Sequence, residues 1–212
     1  SNLAAEPFSQ MFLAADLGIM PISAQPSAAW ASISNQMRNR VSGDQIAITP
    51  LTDHTGGNGV LRPAVKQIVA HTRSAENQKV QAERMKAPTT LPDVTFADTW
   101  SVTLGDETIR ARHWGPAHTG GDASIHFEQA NVVHLGDLLN NRGYANVDGP
   151  AGASVLGWIQ VLEKMAAAYP ADALYVYGHA EAGYPFIGTR ADLHYQRDYF
   201  AAVVDMARKA RR

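Results

Sequence analysis

Short apolar runs and longer helical stripes alternate along the chain, which predicts an α/β fold. Residues 12–14 and 19–22 read as short strands around a turn at 16–18. Pro26 then opens a helix, with Trp30, Ile33, Met37 and Val41 at helical spacing and Gly43 as its stop. Residues 45–49 form a short apolar strand that runs straight into Asp53-His54-Thr55-Gly56-Gly57-Asn58. A strand at 67–70 precedes a polar surface helix at 74–85 and a loop at 88–92. Strands at 100–104 and 107–114 flank Gly105-Asp106, a two-residue hairpin signal, and the second runs into Gly115-Pro116-Ala117-His118.

Residues 124–128 and 131–135 form a further strand pair that ends at Gly136-Asp137. A loop rich in Gly, Asn and Asp spans 140–152. Val155, Ile159, Leu162 and Ala166 then mark a helix. A strand at 173–177 ends at Gly178-His179. Thr189 and Asp192 form a capping pair for the last helix, which Leu193, Phe200, Val203 and Ala207 line.

Composition narrows the picture. With 212 residues, 45% of them hydrophobic and 18% charged, the chain reads as one globular domain over residues 1–212. A formal net charge of −2 carries no electrostatic footprint for nucleic acid. No apolar run reaches the length of a membrane span. Arg208, Lys209, Arg211 and Arg212 read as the cationic last turn of a helix. The chain holds no cysteine, so any metal site must use His, Asp or Glu. It begins at Ser1, and an exported, periplasmic or secreted protein is slightly favoured over a cytoplasmic one.

Four predicted strands end in His or Asp beside glycine or another small residue: Asp53-His54, His118, Asp137 and His179. Strand ends on one side of an α/β sheet converge, and the loops there carry functional groups on a rigid frame. Imidazole and carboxylate together suit zinc, iron or manganese. Taken singly, each ending has a plain reading as turn chemistry. The five-residue echo between His54-Thr-Gly-Gly-Asn and His118-Thr-Gly-Gly-Asp gains weight because both copies fall at such endings.

At these residues the chain resembles the metallo-β-lactamase superfamily. Gly-Pro-Ala-His-Thr at 115–119, Val-Val-His-Leu-Gly-Asp-Leu-Leu at 132–139 and Tyr177-Gly178-His179 look like family motifs. Asp53-His54-Thr55-Gly56-Gly57-Asn58 resembles the second half of the family's HxHxDH motif and its sequel. The resemblance implies an αββα sandwich of two mixed β-sheets flanked by helices. It also implies roles. His118 matches a ligand of the first metal; Asp53, His54 and His179 match ligands of the second; Asp137 matches the carboxylate that bridges the two.

The chain departs from the motif where Thr49 and Leu51 stand in place of the two leading histidines. Thr is a poor neutral ligand and Leu cannot ligate. The first site then keeps only His118 and a share of Asp137, while the second keeps Asp53, His54, Asp137 and His179. At most one well-held metal is expected: zinc, with iron or manganese as alternatives. The part of the chain ahead of the motif also looks shortened against the family. A shortened sheet leaves an open edge, so a homodimer is an expectation.

The implied activity is hydrolysis of an ester, lactone, amide or phosphoester in a small-molecule substrate, with Asp53 and His118 as the catalytic residues. The alternative is a catalytically silent member that serves as a binding or interaction module. Tyr144 and Tyr184, on loops 140–152 and 181–186, are candidate substrate contacts. Asp122 is read as holding the His118 loop by hydrogen bonds. His71, His113, His126 and His134 read as structural, and His194 as exposed on the last helix.

Overall fold

The structure is a computed structural model and describes residues 46–48, 55, 58–86 and 89–211. The strands read at 12–14 and 19–22, the helix opened by Pro26, and Thr49, Leu51, Asp53 and His54 lie outside the described residues. The chain forms two compact units: Ser1–Arg112 with His126–Ala130, and His113–Ile125 with Asn131–Arg212.

In the first unit β1 (Ile46–Ile48), β2 (Gln67–His71) and β3 (Val94–Phe96) form a parallel sheet with β2 at its centre. The apolar run Ile68-Val69-Ala70 is fully buried, as a central parallel strand requires. The sequence pattern does not mark β3. It has three residues, and its strand character comes from pairing Val69↔Val94 and Ala70↔Thr95. Asp93 ties this edge by accepting the Ile68 N–H at 2.8 Å and a bond from Arg62. The Ile68 N–H, against a smaller opposing push from desolvation, holds the Asp93 carboxyl below its ordinary value.

Helix α1 (Thr72–Met85) starts two residues earlier than the polar pattern indicates. The His71 ring accepts the Arg73 N–H and caps it, a role that a capping rule for Ser, Thr, Asp or Asn misses.

The hairpin read at Gly105-Asp106 is present as β4 (Thr99–Leu104) and β5 (Glu107–Arg112), with Leu104 paired to Glu107 and Gly105 at φ 64°. β5 ends at Arg112 rather than 114, because its partner β4 begins at Thr99 and no paired residue is left beyond Thr99↔Arg112. His113 therefore lies past the strand. Glu107 is fully buried, and its two carboxylate oxygens accept the N–H groups of Gln129 and Ala130, both at 2.9 Å. Glu107→Ala leaves both donors buried without this partner. It is expected to lower stability by about 2 kcal/mol or more in urea unfolding, with Glu107→Gln losing roughly half as much. A shift under a tenth of that size would show that these N–H groups find other acceptors.

The unit boundary falls inside β6 (Ser124–Phe127). In the second unit β7 (Val132–His134) pairs in parallel with β9 (Leu174–Val176), and β11 (Ile187–Gly188) runs antiparallel to β9. A two-residue parallel pair, β8 (Asn140–Asn141) and β10 (His179–Ala180), sets His179 opposite Asn140.

Helices α2 (Val155–Ala168) and α3 (Arg190–Ala210) complete this unit. Ser154 caps α2 by accepting the Gly157 N–H at 3.0 Å. The Thr189–Asp192 capping pair forms as expected, with the Asp192 carboxylate accepting the Thr189 N–H at 2.7 Å. The core gathers Trp158, Leu162 and Met165 of α2, Leu193 and Phe200 of α3, and Val133, Leu135, Leu138 and Tyr175. The apolar line on α3 stops at Phe200; Val203 and Ala207 are exposed, so the helix outruns the core it covers. His194 is half-buried rather than exposed. Among the described residues no helix is long and apolar enough to cross a membrane.

Candidate metal centre

Three of the five expected ligands, His118, Asp137 and His179, lie among the described residues, and the second unit brings them together. Asp137 sits in a single 3-10 turn (Gly136–Leu138) directly after β7 and is buried. Its Oδ1 lies 3.0 Å from His179 Nε2 and its Oδ2 lies 3.6 Å from His118 Nδ1. Each carboxylate oxygen thus faces a different imidazole. Asp137 and His179 are far apart in sequence, so local pattern does not dictate their meeting.

Gly178 makes that meeting possible. Its N–H donates to Gly136 O at 2.8 Å, with a second approach to Leu139 O at 3.2 Å. A Cβ at 178 would fall 2.5 Å from Asp137 Oδ1 and closer still to the Gly136 carbonyl. The chain leaving β9 therefore rests directly on the turn that carries Asp137, and His179 follows at once. Gly136 itself has φ 51°, the left-handed region where a side chain costs energy.

His118 is held differently. Its side chain is only 6% exposed, and among the described residues neither ring nitrogen has a hydrogen-bond partner. The 3.6 Å approach to Asp137 is an ion-pair distance and too long for a hydrogen bond. The Trp158 ring lies 5.7 Å away between centroids and walls one side. Trp158 is itself locked by its indole N–H donating to Leu138 O at 3.0 Å. The sequence marks Trp158 only as a core residue; its contact with His118 has no signal in spacing.

The turn after His118 is closed by Asp122, whose carboxylate accepts the Thr119 N–H at 2.8 Å and the Thr119 hydroxyl at 2.7 Å. Burial pushes the Asp122 carboxyl up, against the opposing pull of His118 and the Thr119 bonds. The reading of Asp122 as the brace of this loop matches these contacts. His113 Nδ1 meets Asp122 O at 2.7 Å, so His113 supports the same loop. Gly157 lets α2 approach: a Cβ there would collide with Pro116 O, two residues before His118.

On its outer side the site is flanked by the loops that follow β8 and β10. His179 is half exposed, at 51% of its side chain. Tyr144 is 95% exposed and Tyr184 is 47% exposed. Arg142, at φ 65°, carries its guanidinium 5.7 Å from the ring centres of both Tyr184 and Tyr195. The sequence reading did not single out Arg142, and only its place between a strand end and a Gly-Asn-Asp loop could have suggested it.

Two imidazoles and one carboxylate are donors of the kind zinc takes. Tetrahedral donors about 2.1 Å from an ion stand roughly 3.4 Å from one another. The two donor pairs, at 3.0 and 3.6 Å, bracket that spacing. A buried imidazole with both nitrogens unpartnered is also what a ligand lacking its ion looks like. The donors fit in kind, but among the described residues no group of three or more His, Asp or Glu closes into a metal-holding cluster. The two imidazoles take opposite oxygens of Asp137, and further donors are needed on either side.

An α/β unit whose strand ends and turns converge on an Asp between two His defines the class of protein. The sequence profile of the metallo-β-lactamase superfamily matches residues 52–181, and the chain belongs to that superfamily. Among solved structures it is similar to a metallo-β-lactamase from Pontibacter korlensis, at 21% identity over 74% of this chain and 68% of that one, with a TM-score of 0.59. It is similar to the metallo-β-lactamase IND-7 at 15% identity over 83% of this chain and 77% of that one, also with a TM-score of 0.59. VMB-1 matches at 16% identity over 74% of this chain and 68% of that one, at a TM-score of 0.59. Likeness at this identity bears on the fold alone. No curated protein matches the chain.

Proposed function

We propose that the protein is a hydrolase-like member of the superfamily that holds at most one well-formed zinc-class ion and cleaves an ester, lactone, amide or phosphoester in a small-molecule substrate. The observation that carries this reading is Asp137 standing between the His118 and His179 imidazoles. Asp137 and His179 would hold the ion together with Asp53 and His54, and His118 would contribute from the other oxygen of Asp137. When bound, such an ion supplies a Lewis acid and lowers the pKa of water towards about 7.

The chain's own groups do the rest. Asp137 holds the His179 imidazole at 3.0 Å and faces His118 with its other oxygen at 3.6 Å. His118, buried and without a hydrogen-bond partner among the described residues, can take a proton at one ring nitrogen and give it at the other. His179, half exposed, opens the site to solvent. Asp53 would orient the attacking water. Tyr184, steadied by Arg142, and Tyr144 would contact the substrate from the flanking loops.

A silent binding module is the second reading. It is favoured by Thr49 and Leu51 at the leading histidine positions. Elemental analysis after dialysis separates the two. About one zinc per chain in the parent and none in His179→Ala is the expected result. No metal in either protein, even after zinc loading, would sink the hydrolase reading in favour of the module. In the double variant Thr49→His, Leu51→His, the count is expected to rise towards two.

A further inference from the structure

We propose that Asp122 sets the orientation of the His118 imidazole, acting through Thr119 as a positioning residue. The inference rests on the metal-hydrolase reading only for its consequence, metal affinity. A metal-binding histidine ordinarily donates its second ring nitrogen to a carboxylate or carbonyl, which fixes tautomer and ring angle. Among the described residues His118 has no such partner at either nitrogen. Its ring angle therefore falls to the backbone that carries it and to the Trp158 wall.

Asp122 pins that backbone through Thr119, beside the Asp148 N–H that His118 O accepts at 3.2 Å and the Ser154 N–H that Ala117 O accepts at 2.9 Å. The carboxylate is buried, and its two oxygens are spent on one residue, Thr119, the immediate neighbour of His118. The Thr119 hydroxyl in turn accepts the Gly121 N–H at 3.0 Å, and Thr119 O accepts the Ala117 N–H at 2.8 Å. His118 is thus bracketed on both sides by a turn whose centre is the Asp122–Thr119 pair. Burying a carboxylate is costly, and a solvent-facing Asx turn would close the same loop without that cost. What burial adds is rigidity beside a ring that no hydrogen bond among the described residues holds.

Asp122→Asn puts an amide N–H₂ where one of two acceptor oxygens faced Thr119 donors. The full chain, labelled with ¹⁵N-histidine, provides the readout, with His118→Gln assigning the ring signals. In Asp122→Asn the His118 ring signals are expected to shift or broaden while those of His179 stay put. Zinc affinity, measured by chelator competition, is expected to fall 10- to 100-fold. Unmoved His118 signals in a folded Asp122→Asn protein overturn the proposal. If that variant does not fold, Thr119→Val serves: it drops the hydroxyl link, keeps the N–H bond, and must still move the His118 signals. A parent that binds no zinc, with His118 signals that still move on substitution, sinks the metal-hydrolase reading and supports the positioning role.

Discussion

Alanine at Gly178 is expected to cost the protein both stability and the proposed metal. The added methyl would meet the Gly136 carbonyl and Asp137 Oδ1, so the clash is with backbone and with a buried carboxylate. Neither can rotate away as a flexible side chain would. Overpacking of this kind costs about 1–3 kcal/mol, and rigid neighbours place Gly178→Ala at the upper end. At this chain length about 3 kcal/mol corresponds to a fall in Tm of roughly 6–12 °C. Relief comes by pushing the chain leaving β9 off the Asp137 turn, which separates His179 from Asp137. A thermal melt reads the first effect and the zinc content of the dialysed variant reads the second. A variant that melts like the parent and keeps its zinc would show that the close approach at Gly178 is not needed.

The second large effect is expected at Trp158. It is fully buried, its ring lies 4.7 Å from Phe200 between centroids, and its indole N–H bonds Leu138 O. Trp158→Ala opens a cavity between α2, α3 and the Asp137 turn. The expected loss is about 3–5 kcal/mol in denaturant unfolding. The same change removes one wall of His118, so zinc affinity is expected to fall in whatever fraction remains folded. Trp158→Phe separates the two contributions: it keeps an aromatic wall and gives up the hydrogen bond. Leu138 O also accepts from Gln196 at 2.8 Å, so losing the indole donor alone is expected to cost about 1 kcal/mol.

The legible parts of the fold were those with a local cause. The hairpin at Gly105-Asp106 is a backbone preference confined to four residues. The Thr189–Asp192 cap is written within one helical turn and the α2 stripe within about three. The segments past β5, β7 and β9 that carry His118, Asp137 and His179 were readable because glycine beside a ligand-type residue after an apolar run is itself a local signature. β3 was not readable, since three residues of mixed polarity become a strand only by pairing with β2. The end of β5 at Arg112 and the exposure of Val203 were equally hidden. One depends on where β4 starts, the other on where the core beneath α3 stops.

The sequence by itself determined the family and named the candidate ligands, with Thr49 and Leu51 standing where the resemblance expects two histidines, because these are matters of residue type and order. Only the tertiary structure decided that Asp137 offers one oxygen to each imidazole. It alone decided that Gly178 carries His179 onto the Asp137 turn, and that His118 is buried with nothing among the described residues hydrogen-bonded to its ring. The reason is that such contacts join residues far apart along the chain. Their distances are fixed by how loops close and helices pack, and no periodicity in the sequence encodes either.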